Sequence, residues 1–97
     1  MIQLSEEHRA IVAQILAAFP YQFYVFGSRA KNTAKSLSDL DLCIKNDEAI
    51  PLSTLAEIDA AFEESDLPFK VDVKVWRALS KHFQTLIKDD LIIFPRR

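Results

Sequence analysis

Three carboxylates and one glycine carry most of the chemistry this sequence offers. Asp39 and Asp41 stand two positions apart in the stretch Ser38-Asp39-Leu40-Asp41-Leu42-Cys43-Ile44. Strand side chains alternate, so Leu40, Leu42 and Ile44 are expected to face a core while Asp39, Asp41 and Cys43 share the opposite face. Two carboxylates aimed the same way repel, which raises the pKa of one unless a cation intervenes. Beside phosphates that cation is usually Mg²⁺. Taken alone, the same pair also suits an ordinary solvated strand face.

Twelve residues before Asp39 lies Gly27, the only glycine in 97 residues, where average usage predicts about seven. A chain that avoids glycine elsewhere has a reason for it here, either a backbone angle that other residues resist or the close approach of a ligand. An ordinary tight turn is the plainer reading. Gly27 and Ser28 close an apolar run, Tyr24-Val25-Phe26, and open a short helix. A helix start presents backbone N–H groups that favour an anion, so this is a candidate phosphate seat. Arg29 follows directly and is the candidate supplementary cation. Lys31 and Lys35 read as solvated charges.

The third carboxylate, Asp72, sits in Phe69-Lys70-Val71-Asp72-Val73-Lys74-Val75, which alternates without a break. Lys70, Asp72 and Lys74 then share one face and the apolar residues the other. Alternating charge is also what a solvated edge strand looks like. It is the combination with Asp39 and Asp41 that singles out Asp72.

The elements that must hold these residues follow from periodicity and caps. Ser5 caps a first helix with Glu6 and Glu7 in its opening turn, and Ile11, Val12, Ile15, Leu16 and Phe19 form its inward line until Pro20. His8 lies at the edge of that line as a partly covered surface residue. Gln22 to Phe26 is the first strand, Ser28 to about Lys35 a short helix or turn, and Leu40 to Lys45 the second strand. Pro51 opens a helix with Leu55, Ile58 and Phe62 buried, ending before Pro68. Phe69 to Val75 is the third strand. Leu79, Phe83, Leu86 and Ile87 mark a last helix capped near Ser80, with His82 either facing outward or capping the packing. The tail, Asp89 to Pro95, either adds an edge strand or docks on a partner.

Composition bounds the rest. The length suits one domain, residues 1–97. At 49% hydrophobic and 27% charged the chain is expected to be globular. Twelve basic against fourteen acidic residues, a net charge of −2, argue against a general nucleic-acid surface. No apolar run approaches a membrane span, and the N-terminus lacks a signal-peptide pattern, so the expected location is cytoplasmic. The lone Cys43 reads as a small buried residue without a catalytic role.

Phe26-Gly27-Ser28, Asp39-Leu40-Asp41 and Val71-Asp72-Val73, in that order, resemble the signature of the nucleotidyltransferase superfamily that includes DNA polymerase beta and kanamycin nucleotidyltransferase. The resemblance covers about residues 10 to 90. It implies an α/β (α+β) fold, a small mixed sheet with helices packed mainly on one face. The small size and the Gly-Ser-Arg-Ala spelling look most like the minimal nucleotidyltransferases, which are typically found beside a helical HEPN-type protein, often as a toxin-antitoxin pair. The family resemblance implies that Asp39, Asp41 and Asp72 are catalytic and hold two Mg²⁺ ions, with Asp72 the candidate base, and that Gly27, Ser28 and Arg29 bind the nucleotide. It implies transfer of a nucleoside monophosphate, from ATP or another nucleoside triphosphate, to a hydroxyl on the HEPN-type partner, with the two proteins forming a hetero-oligomer. Two other readings stay open: a non-catalytic nucleotide-binding module that docks on its partner through the Leu91 to Phe94 tail and apolar helix faces, and a transferase acting on a small molecule such as an aminoglycoside. Lys70 and Lys74 either help bind phosphates or weaken metal binding by repulsion.

Overall fold

The chain's backbone polar groups are settled by a four-stranded mixed sheet crossed by helices. The structure is a computed structural model that describes residues 1–95. Its elements run α1 (Glu6–Leu16), β1 (Gln22–Phe26), α2 (Ser28–Lys31), β2 (Leu40–Lys45), α3 (Leu52–Glu63), β3 (Val71–Val75), a 3₁₀ turn (Trp76–Ala78), α4 (Lys81–Ile87), a second 3₁₀ turn (Lys88–Asp90) and β4 (Ile92–Ile93). The strand order is β3-β2-β1-β4. β1 runs antiparallel to both β2 and β4, while β2 and β3 are parallel and joined through α3. A parallel pair needs such a crossover, because its strand ends lie at opposite ends of the sheet.

Local chemistry explains where these elements begin. The Ser5 hydroxyl accepts from the His8 N–H at 3.1 Å, and Ser80 does the same for Phe83 at 3.1 Å. Each satisfies an N–H that the first helical turn leaves without a backbone acceptor. Pro51 sits just ahead of α3 rather than inside it, and its carbonyl accepts from Thr54 and Leu55. α2 is a single turn, shorter than expected, because Asn32 turns left-handed at φ 62° and ends it. β3 starts at Val71, two residues later than the alternation suggests. Its ladder begins only opposite Leu40, the first residue of β2.

Alternation along β2 divides the sheet into two faces. Leu40, Leu42 and Ile44 are fully buried with Phe23, Val25, Val12 and Ile58, and Phe62 is buried beside them, so α1 and α3 cover one face. On the other, Cys43 and Phe26 pack with Ile87, and Trp76, Leu79, Phe83 and Leu91 close around them. The second face is therefore capped by α4 and its flanking turns over part of its area. His8 is half-buried with its ring edge-on to Phe69 at 5.3 Å, and His82 is exposed.

The tail is an edge strand. Tyr24 pairs with Ile93 and Val25 with Ile92, the Phe94 N–H donates to the Phe23 carbonyl at 2.8 Å, and the Phe94 side chain is buried. Of the two expectations for the tail, an added edge strand or docking on a partner, the edge strand is the one observed. Its largest side chain is spent inside the fold, and only Ile93 is substantially exposed. No helix among the described residues is long and apolar enough to cross a membrane.

Candidate active site

Strand register brings two of the three carboxylates side by side. Asp41 on β2 pairs with Asp72 on the parallel β3, and Phe26, the last residue of β1, pairs with Asp41 from the other side. Gly27 continues from Phe26 and so arrives against the Asp41 carboxylate. A Cβ placed on Gly27 would collide with Asp41 Oδ2 and stand 3.3 Å from its Cγ. Gly27 also adopts φ 75°, ψ −155°, a region that side chains other than hydrogen almost never enter. Both reasons for a glycine, close approach and backbone angle, hold at this one position.

Ser28 opens α2, and no side chain caps that helix start. The Gly27 carbonyl accepts from the Ala30 and Lys31 N–H groups, each at 3.1 Å. The N–H groups at the head of the turn have no intrahelical acceptor. Gly27, at the head of this turn, stands against the Asp41 carboxylate, so a phosphate seated on these N–H groups would need a cation to offset the negative charge next to it.

Asp39 stands differently from its neighbours. It precedes β2, is exposed, and is fixed by no strand pairing, whereas Asp41 is half-buried within the ladder. The Asp41 carboxyl is raised above the ordinary carboxylate value of 3.8, first by burial, then by the charges of Asp72 and Asp39, with Lys74 opposing. Lys74 Nζ lies 3.3 Å from Asp72 Oδ2, both partly exposed. Lys70 is exposed and borders a depression of about 290 Å³ shared by Asp72, Asp59 and Glu63. Asp59 and Glu63 were not singled out in the sequence. Their signal was weak, two acidic residues one turn apart on the solvent side of α3.

Among the described residues no three His, Cys, Asp or Glu side chains form a ready-made metal cage. Mg²⁺ seldom has one; it is commonly held by one or two carboxylates, with water and substrate phosphate completing its shell. Asp41 and Asp72 are the two that could supply such a pair; the Asp41 carboxyl is raised first by its burial and then by the charges of Asp72 and Asp39, against the opposing charge of Lys74.

The structure corrects the expectation for Arg29. Its side chain turns inward, 4% exposed, rather than toward the phosphate seat. Nε and Nη2 donate to the Ser38 carbonyl at 3.1 and 2.8 Å, Nη1 to Gln3 at 2.9 Å, and Nη2 also to Ser36 at 3.2 Å and Lys35 at 3.4 Å. The guanidinium lies 4.2 Å from the centre of the Phe69 ring. A phosphate contact would require breaking this set. Cys43 is buried, and burial pushes its thiol up to about 11, which leaves it unreactive at neutral pH.

Known proteins resemble the chain in overall sequence and in fold. A family model described as polymerase beta, nucleotidyltransferase matches residues 11–97. The chain is 35% identical, over 98 residues, to the probable protein adenylyltransferase MntA of Haemophilus influenzae, across 99% of this chain and 86% of that protein. A crystal structure of a toxin-antitoxin with AMP-PNP superposes with a TM-score of 0.72 at 18% identity, covering 92% of this chain and 73% of that one. At that identity the likeness speaks to the fold alone.

Proposed function

We propose, starting from the fact that the chain belongs to the polymerase beta nucleotidyltransferase family and is therefore a nucleotidyltransferase, that it moves AMP from ATP to a hydroxyl on a partner protein, in the presence of Mg²⁺. The observation that carries this reading is the register that sets Asp41 beside Asp72, with Gly27 against the Asp41 carboxylate. The MntA relative, named for protein adenylylation, supports adenylyl as the group and protein as the acceptor. The antitoxin role rests on the resemblance to minimal nucleotidyltransferases, and the fold shared with a chain of a toxin-antitoxin with AMP-PNP is in keeping with a place in such a pair. The HEPN-type identity of the partner rests on the resemblance of Gly27-Ser28-Arg29-Ala30 and the small chain to minimal nucleotidyltransferases.

In this reading the acceptor oxygen bonds to the α-phosphorus, the bond from that phosphorus to the β-bridging oxygen breaks, and pyrophosphate leaves. Gly27 and Ser28 offer N–H groups and a hydroxyl to the β and γ phosphates, and Gly27 leaves room for them beside Asp41. Asp41 and Asp72, with Asp39 at the rim, would hold Mg²⁺, which offsets charge on the departing pyrophosphate. Asp72 is the candidate to take the acceptor proton. Lys74 keeps a positive charge at this carboxylate, which lowers repulsion with Asp41.

The test is intact-mass spectrometry of the co-expressed helical neighbour protein after incubation with this chain, Mg²⁺ and each nucleoside triphosphate in turn. The expected result is an AMP-sized gain with ATP that vanishes in the Asp39→Asn, Asp41→Asn double variant. A gain that survives the double variant, or none with any nucleotide, refutes the proposal.

A further inference from the structure

We propose that Arg29 is the positioning residue of this site, setting from behind where Asp39 stands relative to Asp41 and Asp72. The inference rests on the reading of those carboxylates as the metal-binding centre.

Asp39 lies outside the β2 ladder, so no strand pairing fixes it. What fixes it is the residue before it. The Ser38 carbonyl receives two of the five hydrogen bonds that Arg29 makes, and Ser36 and Lys35 receive two more, so one guanidinium gathers the loop at 35–38 into a single conformation. The same group reaches the other strand through Phe69, whose ring it covers at 4.2 Å. Phe69 leads into Lys70, whose carbonyl accepts from the Leu40 N–H at 2.9 Å. One side chain thus joins the entrances of both strands that carry the carboxylates.

The N-terminal segment completes the frame. The Gln3 carbonyl takes the fifth Arg29 bond, and the Gln3 N–H donates to the Arg29 carbonyl at 2.8 Å. The Gln3 side chain clasps Ala34 in both directions, Nε2 to its carbonyl and Oε1 from its N–H, each at 2.9 Å. The loop between α2 and β2 is therefore held from two sides.

All four Arg29 acceptors are neutral carbonyls, and among the described residues no carboxylate forms an ion pair with it. Burial of a cation without a counter-ion is costly, and an apolar side chain would fill the same space at less expense. What an apolar residue cannot do is fix four carbonyls at once. Lysine cannot either, because it lacks the planar fork of five N–H donors. That is the case for position over stability.

The experiment measures Mn²⁺ affinity by electron paramagnetic resonance on the full-length chain, with a non-hydrolysable ATP analogue present. The variants are Arg29→Lys, Asp39→Asn, their combination, Gln3→Ala and Asp41→Asn. Arg29→Lys is expected to weaken Mn²⁺ binding by the folded protein roughly 10- to 100-fold, the usual range for residues that orient metal ligands. Asp39→Asn, which weakens binding on its own, should add little on the Arg29→Lys background. A residue that merely stabilises the fold would change the amount of folded protein, leave its Mn²⁺ affinity unaltered and preserve the full Asp39→Asn effect; that outcome overturns the inference. Should Arg29→Lys not fold, Gln3→Ala loosens the same loop from its other side and is expected to weaken binding several-fold while shrinking the Asp39→Asn effect. Unchanged affinity in that variant overturns the inference as well. Asp41→Asn separates the two levels: Mn²⁺ binding that ignores Asp41 removes the metal reading beneath, whereas binding that needs Asp41 but ignores Arg29 removes only the positioning role.

Discussion

Replacing Gly27 with alanine tests the geometry of the site more sharply than removing a carboxylate does. The backbone at φ 75°, ψ −155° is nearly closed to any residue with a Cβ, and holding one there costs about 1–3 kcal/mol. The new methyl would also meet Asp41 Oδ2. That atom ends a short side chain, so it yields by rotation, at about 0.5–1.5 kcal/mol for a shift of about 30° from its preferred rotamer. Together Gly27→Ala should lose about 2–4 kcal/mol. For a domain this small that lowers Tm by roughly 10 to 30 °C, at about 4–8 °C per kcal/mol. The two parts separate on an Asp41→Ala background, where no carboxylate is left to displace. There Gly27→Ala should cost less by the rotation component alone, a coupling of about 0.5–1.5 kcal/mol. Nucleotide transfer should fall about 100-fold in folded Gly27→Ala protein, the effect expected when a reacting group moves by about 1 Å. Urea unfolding of the four proteins, with transfer assayed below the transition, measures both. The reasoning fails if Gly27→Ala keeps wild-type stability, or if its cost is the same with and without the Asp41 carboxylate.

Other outcomes follow from the same residues. Asp41→Asn should abolish transfer yet stabilise the chain at pH 7 by about 0.5–1 kcal/mol, since like charges directly opposite across strands are unfavourable by that order. Because the folded-state pKa of Asp41 is raised, the folded protein binds more protons than the unfolded chain, so this carboxyl's contribution to stability falls as pH rises from the ordinary 3.8 through the raised value. The advantage of Asp41→Asn should therefore be larger at pH 7 than at pH 4, and urea unfolding at both pH values checks it. Cys43, buried with its thiol pushed up to about 11, should resist an aqueous thiol reagent in the native protein and react at once in denaturant. Rapid native labelling would show that the cluster around Phe26 and Ile87 opens readily.

Much of this arrangement could be read in the sequence because alternation is a local property. The apolar positions Leu40, Leu42 and Ile44 had to point together, so Asp41 had to point away, and the same logic placed Asp72 opposite Val71 and Val73. Ser5 and Ser80 announced their helices by chemistry confined to one turn. The lone glycine marked a special backbone, though not which contact demanded it. What stayed hidden depends on partners far along the chain. Nothing near Arg29 says that its acceptors are Gln3, the loop at 35–38 and the ring of Phe69, and beside Gly27-Ser28 a cation is naturally assigned to phosphate. Parallel pairing of β2 with β3, which sets Asp41 level with Asp72, is likewise a property of the sheet and of no single strand. The tail's sequence leaves an edge strand and a docking segment both open, because its few apolar residues have no periodicity, and only β1 supplies the edge that absorbs them.

Three local rules are broken within this one region. A residue occupies a nearly forbidden backbone region at Gly27, two carboxylates face each other at Asp41 and Asp72, and a cation is buried among neutral carbonyls at Arg29. Each is unfavourable for folding alone, and natural chains concentrate such conflicts where function requires them. β2 shows how the fold can bear the cost. Its Leu40, Leu42 and Ile44 are fully buried, and burying a side chain of this kind is worth about 1.5–3 kcal/mol. The strand is therefore anchored by one face while the other carries the repulsion. Because side chains alternate, tightening that anchor also restricts the carboxylates. A large-to-small change at Leu42 would thus loosen the position of Asp41, although the two side chains lie on opposite faces of the sheet. Stability and catalytic geometry are coupled here through a single backbone segment.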